Sequence, residues 1–309
     1  MQVAYSITAN RKKYSTRNHL VMDVGIIGTG LLGSAIAKRI VSSGHKVHAY
    51  NRTRQKADSL KKLGISIEDS PKELAKKCEM VIIIVKDSKA IEEVAFGKNG
   101  IVEGKHDGLI IADMSTISPI SSKKIAKKFA DNGIAMIDTP VMGGPSLAEK
   151  GQMIVMVGGK SETYQRCKPV LDIIGEKTFH LGENGSGHAM KLVMNSQIAI
   201  LALSISEGII LAKKSGLDPI TFLEVLNSTY FKTGMSANKG PKMAKGQFEP
   251  SFFLKMMQKD LDEIDYTAKE FGANMPMSKL ANQLYQKAIK AGFGDIDYTG
   301  ILAYLEESK

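Results

Sequence analysis

The period of the hydrophobic pattern changes roughly halfway along the chain. Up to about residue 180, short apolar runs bounded by Gly, Pro, Ser and Asp alternate with stretches in which apolar residues recur every three or four positions. That alternation predicts strands and helices taken in turn. Residues 22–27, 46–50, 80–85, 109–112, 135–138, 153–157 and 177–180 read as strands of one sheet. Residues 34–43 read as a helix stopped by Gly44, and Ser70-Pro71 and Ser118-Pro119 each supply a cap followed by a proline suited to the first helical position.

Beyond residue 184 the strand pattern disappears. After the turn-prone Asn184-Gly185-Ser186-Gly187, a proline-free run rich in Ala, Leu, Ile and Met continues to Lys213-Lys214-Ser215-Gly216, with cations in its last turn and a glycine stop. Its length suits a membrane, but Asn195, Gln197, Ser204, Ser206 and Glu207 interrupt it too often for lipid. A helix buried between two domains fits better. Further helices follow from Asp218-Pro219 and over 252–271, 276–291 and 297–307.

The segment between the first strand and the first helix carries the first chemical signal. It reads Gly28-Thr29-Gly30-Leu31-Leu32-Gly33, and G-x-G-x-x-G in that place opens a dinucleotide-binding sheet. Gly28 permits a tight turn, Gly30 lets the backbone approach a pyrophosphate, and Gly33 lets the helix close on the strand. About twenty residues further on, where an acid commonly holds the adenosine ribose, stand Asn51, Arg52 and Thr53, with Arg54 behind them. A guanidinium binds a 2′-phosphate through two charge-assisted bonds whereas a carboxylate repels it. NADP is therefore favoured as cofactor, with NAD possible.

The expected architecture is α/β: a Rossmann-type doubly wound sheet followed by an all-helical C-terminal domain, the two joined by a long interdomain helix. Residues 1–21 read as a basic, disordered extension, 22–184 as the dinucleotide-binding domain, and 185–309 as a helical substrate and oligomerisation domain with the interdomain helix at 185–215. A chain of 309 residues with 43% hydrophobic content can bury two such cores. Of the net charge of +10, Arg11, Lys12, Lys13 and Arg17 place four charges before the first strand. The rest is spread over lysine-rich helices without interleaved aromatics, which argues against a nucleic-acid partner and suits anionic small molecules. The extension has the composition of an organellar transit peptide but no amphipathic stripe. A cytoplasmic location is the simpler reading and an organellar one the alternative. Cys78 and Cys167 lack disulfide or metal spacing, and no His or acidic cluster calls for a metal.

Lys191 and Asn195 stand four apart in the second turn of the long helix, so their Cβ atoms lie on one face about 5–6 Å apart. A proton-transferring ammonium and an amide able to hold a hydroxyl or carboxylate thus point to one spot.

Four motifs resemble the β-hydroxyacid dehydrogenases, a family that includes 3-hydroxyisobutyrate dehydrogenase, tartronate semialdehyde reductase and the glyoxylate/succinic semialdehyde reductases. They are Gly28 to Gly33, then Asp138-Thr-Pro-Val-Met-Gly-Gly144 with Gly151, then Gly185-x-Gly187-x-x-x-Lys191-x-x-x-Asn195, and finally Lys259-Asp260. The resemblance covers nearly all of residues 22–309. It implies hydride transfer between NADP and a small β-hydroxyacid or its semialdehyde, with Lys191 as the catalytic lysine and Asn195 as the substrate-orienting amide. It implies cofactor contacts from the turn at 28–33 and from Val85, Lys86, Thr116 and Lys259, the last held by Asp260. Substrate contacts would come from Ser115, Thr116, Met142 and the backbone N–H groups of Gly143 and Gly144, the glycines facing a carboxylate. A homodimer or homotetramer with no membrane association is also implied.

Two positions depart from the family. Serine is common where Met142 stands and glycine where Leu147 stands, so the carboxylate end is walled by bulkier, more apolar groups. This leaves an imine reductase-like activity open on the same scaffold. A non-catalytic dinucleotide-binding protein would be expected to lose Lys191, and 6-phosphogluconate dehydrogenase, which shares the Lys-x-x-x-Asn helix, has a much longer helical domain.

Overall fold

The computed structural model describes residues 21–308, so the expected basic extension lies, apart from Val21, outside the described residues. Strands β1 (Asp23–Ile27), β2 (Lys46–Tyr50), β3 (Ser66–Ile67), β4 (Met80–Ile83), β5 (Ile110–Asp113) and β6 (Ala135–Asp138) form one parallel sheet in the order β3-β2-β1-β4-β5-β6. The order reverses between β1 and β4, which opens a crevice past their C-terminal ends. Helices cover both faces, and β4 is buried along its whole length. Its unbroken Met80-Val81-Ile82-Ile83 is what a doubly covered strand requires, each buried aliphatic side chain contributing about 1.5–3 kcal/mol.

Residues 153–157 and 177–180 do not complete this sheet as the pattern predicts. With β7 (Val141–Met142), strands β8 (Met153–Val157) and β9 (Gly175–His180) make a separate three-stranded sheet in the order β7-β8-β9. The parallel ladder stops after Thr139 N donates to the Asp113 carbonyl at 2.7 Å, because Ser115 N, which would carry it on, turns back to Asp113 Oδ1. A single antiparallel bridge from Asp138 to Gly158 ties the two sheets together. The two-residue β3 is too short to leave a periodic signal.

Helix starts follow the capping chemistry. Ser70, Ser118 and Asp218 accept from the backbone N–H groups of Glu73, Ser121 and Thr221. The first helix runs over Leu31–Ser42, beginning inside the glycine motif rather than at residue 34.

The long helix spans Ser186–Lys214. Its Leu192, Ala199, Ala202 and Leu203 share a core with Leu254, Met257, Leu261 and Tyr285 from the helices Leu254–Glu270 and Pro276–Lys290. Its N-terminal turn abuts β8, where a Cβ on Gly187 would lie 2.6 Å from the Met156 carbonyl oxygen. Among the described residues this is the one helix long and apolar enough to cross a membrane. Here it lies between the sheets and the C-terminal helices, leaving Met190, Val193, Met194 and Leu211 exposed.

Candidate active site

The glycine turn is set by contacts that only glycine allows, with one informative exception. Gly28 has φ +102 and a Cβ there would lie 2.0 Å from the Ile84 carbonyl oxygen, while a Cβ on Gly33 would lie 1.9 Å from that of Gly28. At Gly30 a Cβ would meet nothing within 4 Å. Packing within the protein therefore leaves open space before Gly30, as a pyrophosphate needs. Gly30 is also the N-cap of Leu31–Ser42 and no side chain caps that helix, so its first N–H groups remain for a ligand phosphate. Asn51 ties this turn to the end of β2: Oδ1 accepts from Thr29 N at 3.1 Å and Nδ2 donates to the Thr53 carbonyl at 2.9 Å.

Alongside lies a cavity of about 270 Å³ that brings together Gly28, Gly30, Asn51, Arg52, Thr53, Val85 and Lys86. Lys56 adds a cation there that the sequence reading did not single out. Arg52 is 86% exposed and stands 3.9 Å from Glu93, a weak surface pair that leaves the guanidinium available. Arg54 is engaged by Asp69 instead.

A second cavity, of about 220 Å³, lies where the small sheet meets the helical half. Leu32, Met142, Gly143, Gly144, Lys191 and Asn195 line one side of it, and Lys239, Ser251, Phe252 and Tyr298 come from the later helices and loops. The start of the long helix fixes this geometry. Asp138, fully buried, accepts through Oδ2 from Gly185 N at 2.6 Å and Gly187 N at 3.2 Å, and through Oδ1 from Ser122 Oγ at 2.8 Å. A carboxylate at the end of β6 thus caps a helix that starts nearly fifty residues later, satisfying orphan donors and facing the positive end of its dipole. Lys191 follows in the second turn, half-buried, its Nζ 3.4 Å from Met142 Sδ. Burial lowers its pKa to about 8, against the opposing pull of Asp260 and with the help of Lys259.

Asn195 is held by a chain of polar contacts. Its Nδ2 donates to Asp260 Oδ2 at 2.6 Å, Asp260 Oδ1 is 2.6 Å from Lys259 Nζ, and Lys259 donates to the Thr116 carbonyl oxygen. The second Nδ2 hydrogen and Oδ1 of Asn195 stay free for a ligand. The loop after β5 is thereby joined to the helix that carries the lysine.

Several expected residues sit differently. Ser115, expected at the substrate, is 3% exposed; its N donates to Asp113 Oδ1 at 3.0 Å, and its Oγ accepts from Val85 N at 3.1 Å. The tight turn after β5 folds its hydroxyl back onto the neighbouring loop, so it pins two loops together. Thr29, Leu31, Gly33, Thr116 and Lys259 line neither cavity, and Leu32 lines the lysine cavity rather than the adenosine end. No signal in the sequence marked Asp138, named there only as part of a motif, as a helix cap, and none singled out His188. His188 is fully buried with Nε2 3.2 Å from Asp113 Oδ2. Burial lowers its pKa, but the bond to Asp113 and the charges of Asp138 and Asp113 outweigh it and raise the pKa overall.

A glycine cradle at the switch point of a parallel sheet, next to a cavity holding a lysine of lowered pKa, defines a two-domain, dinucleotide-dependent oxidoreductase. Comparison with known proteins narrows the class. Residues 23–182 match the NAD binding domain of 6-phosphogluconate dehydrogenase, and residues 185–305 match the NAD-binding domain of NADP-dependent 3-hydroxyisobutyrate dehydrogenase. The chain is 36% identical, over 96% of its length, to glyoxylate/succinic semialdehyde reductase 2, chloroplastic, of Arabidopsis thaliana, and covers 83% of that protein. It is 34% identical, over 93% of its length, to glyoxylate/succinic semialdehyde reductase 1 of the same plant, and covers 100% of it. The structure of Mycobacterium tuberculosis 3-hydroxyisobutyrate dehydrogenase with L-serine shares the fold, with a TM-score of 0.83 at 23% identity over 93% of this chain and 99% of that one. The chain belongs to the β-hydroxyacid dehydrogenase family and is an NAD(P)-dependent oxidoreductase acting on hydroxyl or aldehyde groups.

Proposed function

We propose that this protein is an NADP-dependent reductase of a small oxo acid, interconverting a β-hydroxyacid and its semialdehyde or reducing glyoxylate or succinic semialdehyde. The observation that carries the reading is Lys191, with its pKa lowered to about 8, in the same cavity as Asn195 and the Gly143-Gly144 turn. In this reading residues 22–184 hold the dinucleotide and residues 185–309 complete the substrate site. Arg52, with Lys56 beside it, takes the 2′-phosphate, and the first turn of Leu31–Ser42 takes the pyrophosphate.

A reduced nicotinamide held by these residues would supply hydride to the carbonyl carbon. Lys191 holds the carbonyl oxygen through an N–H bond and gives it a proton as negative charge gathers there, a contribution of about 10²–10⁴-fold in rate. In oxidation the neutral amine takes that proton back. Asn195, oriented by Asp260, binds the same oxygen through its free amide hydrogen or the hydroxyl through Oδ1. Gly143 has φ +124, a conformation that turns the backbone sharply at the substrate and that L residues rarely adopt. The turn it makes offers N–H groups to the substrate carboxylate.

The apolar residues left exposed on the long helix support self-association as a homodimer or homotetramer. The chloroplastic relative gives the organellar alternative some weight beside a cytoplasmic location. Met142 beside Lys191 favours one second reading, reduction of an imine, because it removes a hydroxyl partner for a carboxylate. Steady-state rates with glyoxylate, succinic semialdehyde, other short semialdehydes and a cyclic imine, each with NADPH and NADH, test both. Turnover of the oxo acids with NADPH supports the first reading; turnover of the imine alone overturns it.

A further inference from the structure

The lysine cavity contains a second ammonium, and no carboxylate is among its lining residues. Lys239 reaches it from the helical side, 27% exposed, with Nζ 2.7 Å from both oxygens of the buried Asp297 and 2.9 Å from Ser251 Oγ. It also stands 4.6 Å from the centre of the Tyr298 ring. Such a set of contacts holds a flexible lysine in one place.

Asp297 does not depend on Lys239 alone. It accepts from Ser251 N at 3.0 Å, Ser251 Oγ at 3.0 Å, Thr299 N at 3.2 Å and Thr299 Oγ1 at 2.8 Å as well as from the ammonium. A carboxylate has about four lone-pair sites, so this one is offered more donors than it can use. A hydrogen of Lys239 or of the Ser251 hydroxyl can turn to a ligand without leaving Asp297 unsatisfied. Ser251 lies across the cavity mouth from the glycine turn, since a Cβ placed on Gly144 would be 4.0 Å from Ser251 Cβ. The glycine turn itself carries Met142, which has no hydroxyl to give a ligand.

We propose that Lys239, positioned by Asp297 and assisted by Ser251, binds the substrate carboxylate from the helical side of the cavity and selects carboxylated aldehydes over neutral ones. This rests on the reductase reading above and deepens it. The anion would sit between the Gly143-Gly144 turn and Lys239, leaving its aldehyde end for Lys191. Tyr298 beneath the ammonium and the apolar Met142, Phe252 and Ile198 around it exclude water and strengthen the charge pairing.

The test compares succinic semialdehyde with butanal, an aldehyde of equal chain length without the carboxylate. With NADPH, Lys239→Met is expected to lower the ratio of kcat/KM for the acid to that for the neutral aldehyde by about 10- to 100-fold. Lys239→Arg should retain part of the ratio. Because Lys239→Met leaves Asp297 short of its cation, Lys239→Met/Asp297→Asn is measured beside it, and the same fall is expected. An unchanged ratio in either folded variant overturns the proposal. Binding of succinate to the NADPH complex, read by nicotinamide fluorescence, provides a readout that needs no turnover. Wild-type binding that weakens by the same factor in the variants supports the anion site, and equal binding overturns it. If the wild type reduced neither aldehyde, the reductase reading would fall while the succinate result still decided the role of Lys239.

Discussion

Raising the pH through about 8 should slow reduction and speed oxidation by the same factor. With its pKa lowered from 10.5 to about 8, about one Lys191 in ten is neutral at pH 7, against about one in three thousand for an ordinary lysine. Burial thus raises the fraction of enzyme ready to accept a proton by about 300-fold, while about nine in ten remain ready to donate one. Between about pH 7 and about pH 9 the protonated fraction falls about tenfold and the neutral fraction rises about tenfold. Initial rates with saturating semialdehyde and NADPH, and with hydroxyacid and NADP, should therefore give mirror-image profiles that share one inflection. Asp260 pulls the Lys191 pKa up and Lys259 pulls it down, so Asp260→Asn should move the inflection to lower pH and Lys259→Met to higher pH. Inflections that shift together in these opposite senses would tie the titration to Lys191. Profiles that run the same way in both directions, or an inflection unmoved by either substitution, would refute the assignment.

Further outcomes follow from other parts of the site. Arg52→Asp should weaken NADPH by about tenfold or more relative to NADH, since a charge-assisted phosphate contact is exchanged for repulsion; an unaltered ratio of KM values counts against the phosphate role. Asp138→Ala should lower stability by about 3 kcal/mol or more, because the N–H groups of Gly185 and Gly187 lose a buried charged acceptor; a urea midpoint unchanged at constant slope would show that the cap is dispensable. Met142→Ser places a hydroxyl near Lys191 and should improve kcat/KM for glyoxylate. A loss instead would mean that the thioether packing is what positions the lysine.

Local structure was legible where local chemistry sets it. The caps at Ser70, Ser118 and Asp218 act over three residues, and the strand–glycine–helix order around Gly28 to Gly33 is continuous in the chain. The face shared by Lys191 and Asn195 follows from helical spacing alone. Contacts between distant segments were not legible in the same way. Nothing local to Asp138 tells that its carboxylate caps a helix starting at Ser186, and nothing near Asn195 points to Asp260 as its partner. The small second sheet was not legible because β8 carries the same apolar run as the parallel strands, while β9, Gly-Glu-Lys-Thr-Phe-His, is polar and largely exposed and carries no sign of which strand it pairs with. Lys239 and Ser251 reach the cavity through the buried Asp297, and a lone aspartate next to Tyr298 carries no periodic signal.

The central claim is that the amine of Lys191 serves the carbonyl that receives hydride. Single-turnover oxidation of pre-bound NADPH by succinic semialdehyde in Lys191→Ala measures this step without product release. The account predicts unchanged NADPH affinity with a transfer rate lower by about 10²–10⁴-fold. A rate equal to that of the wild type, with cofactor still bound, would contradict it.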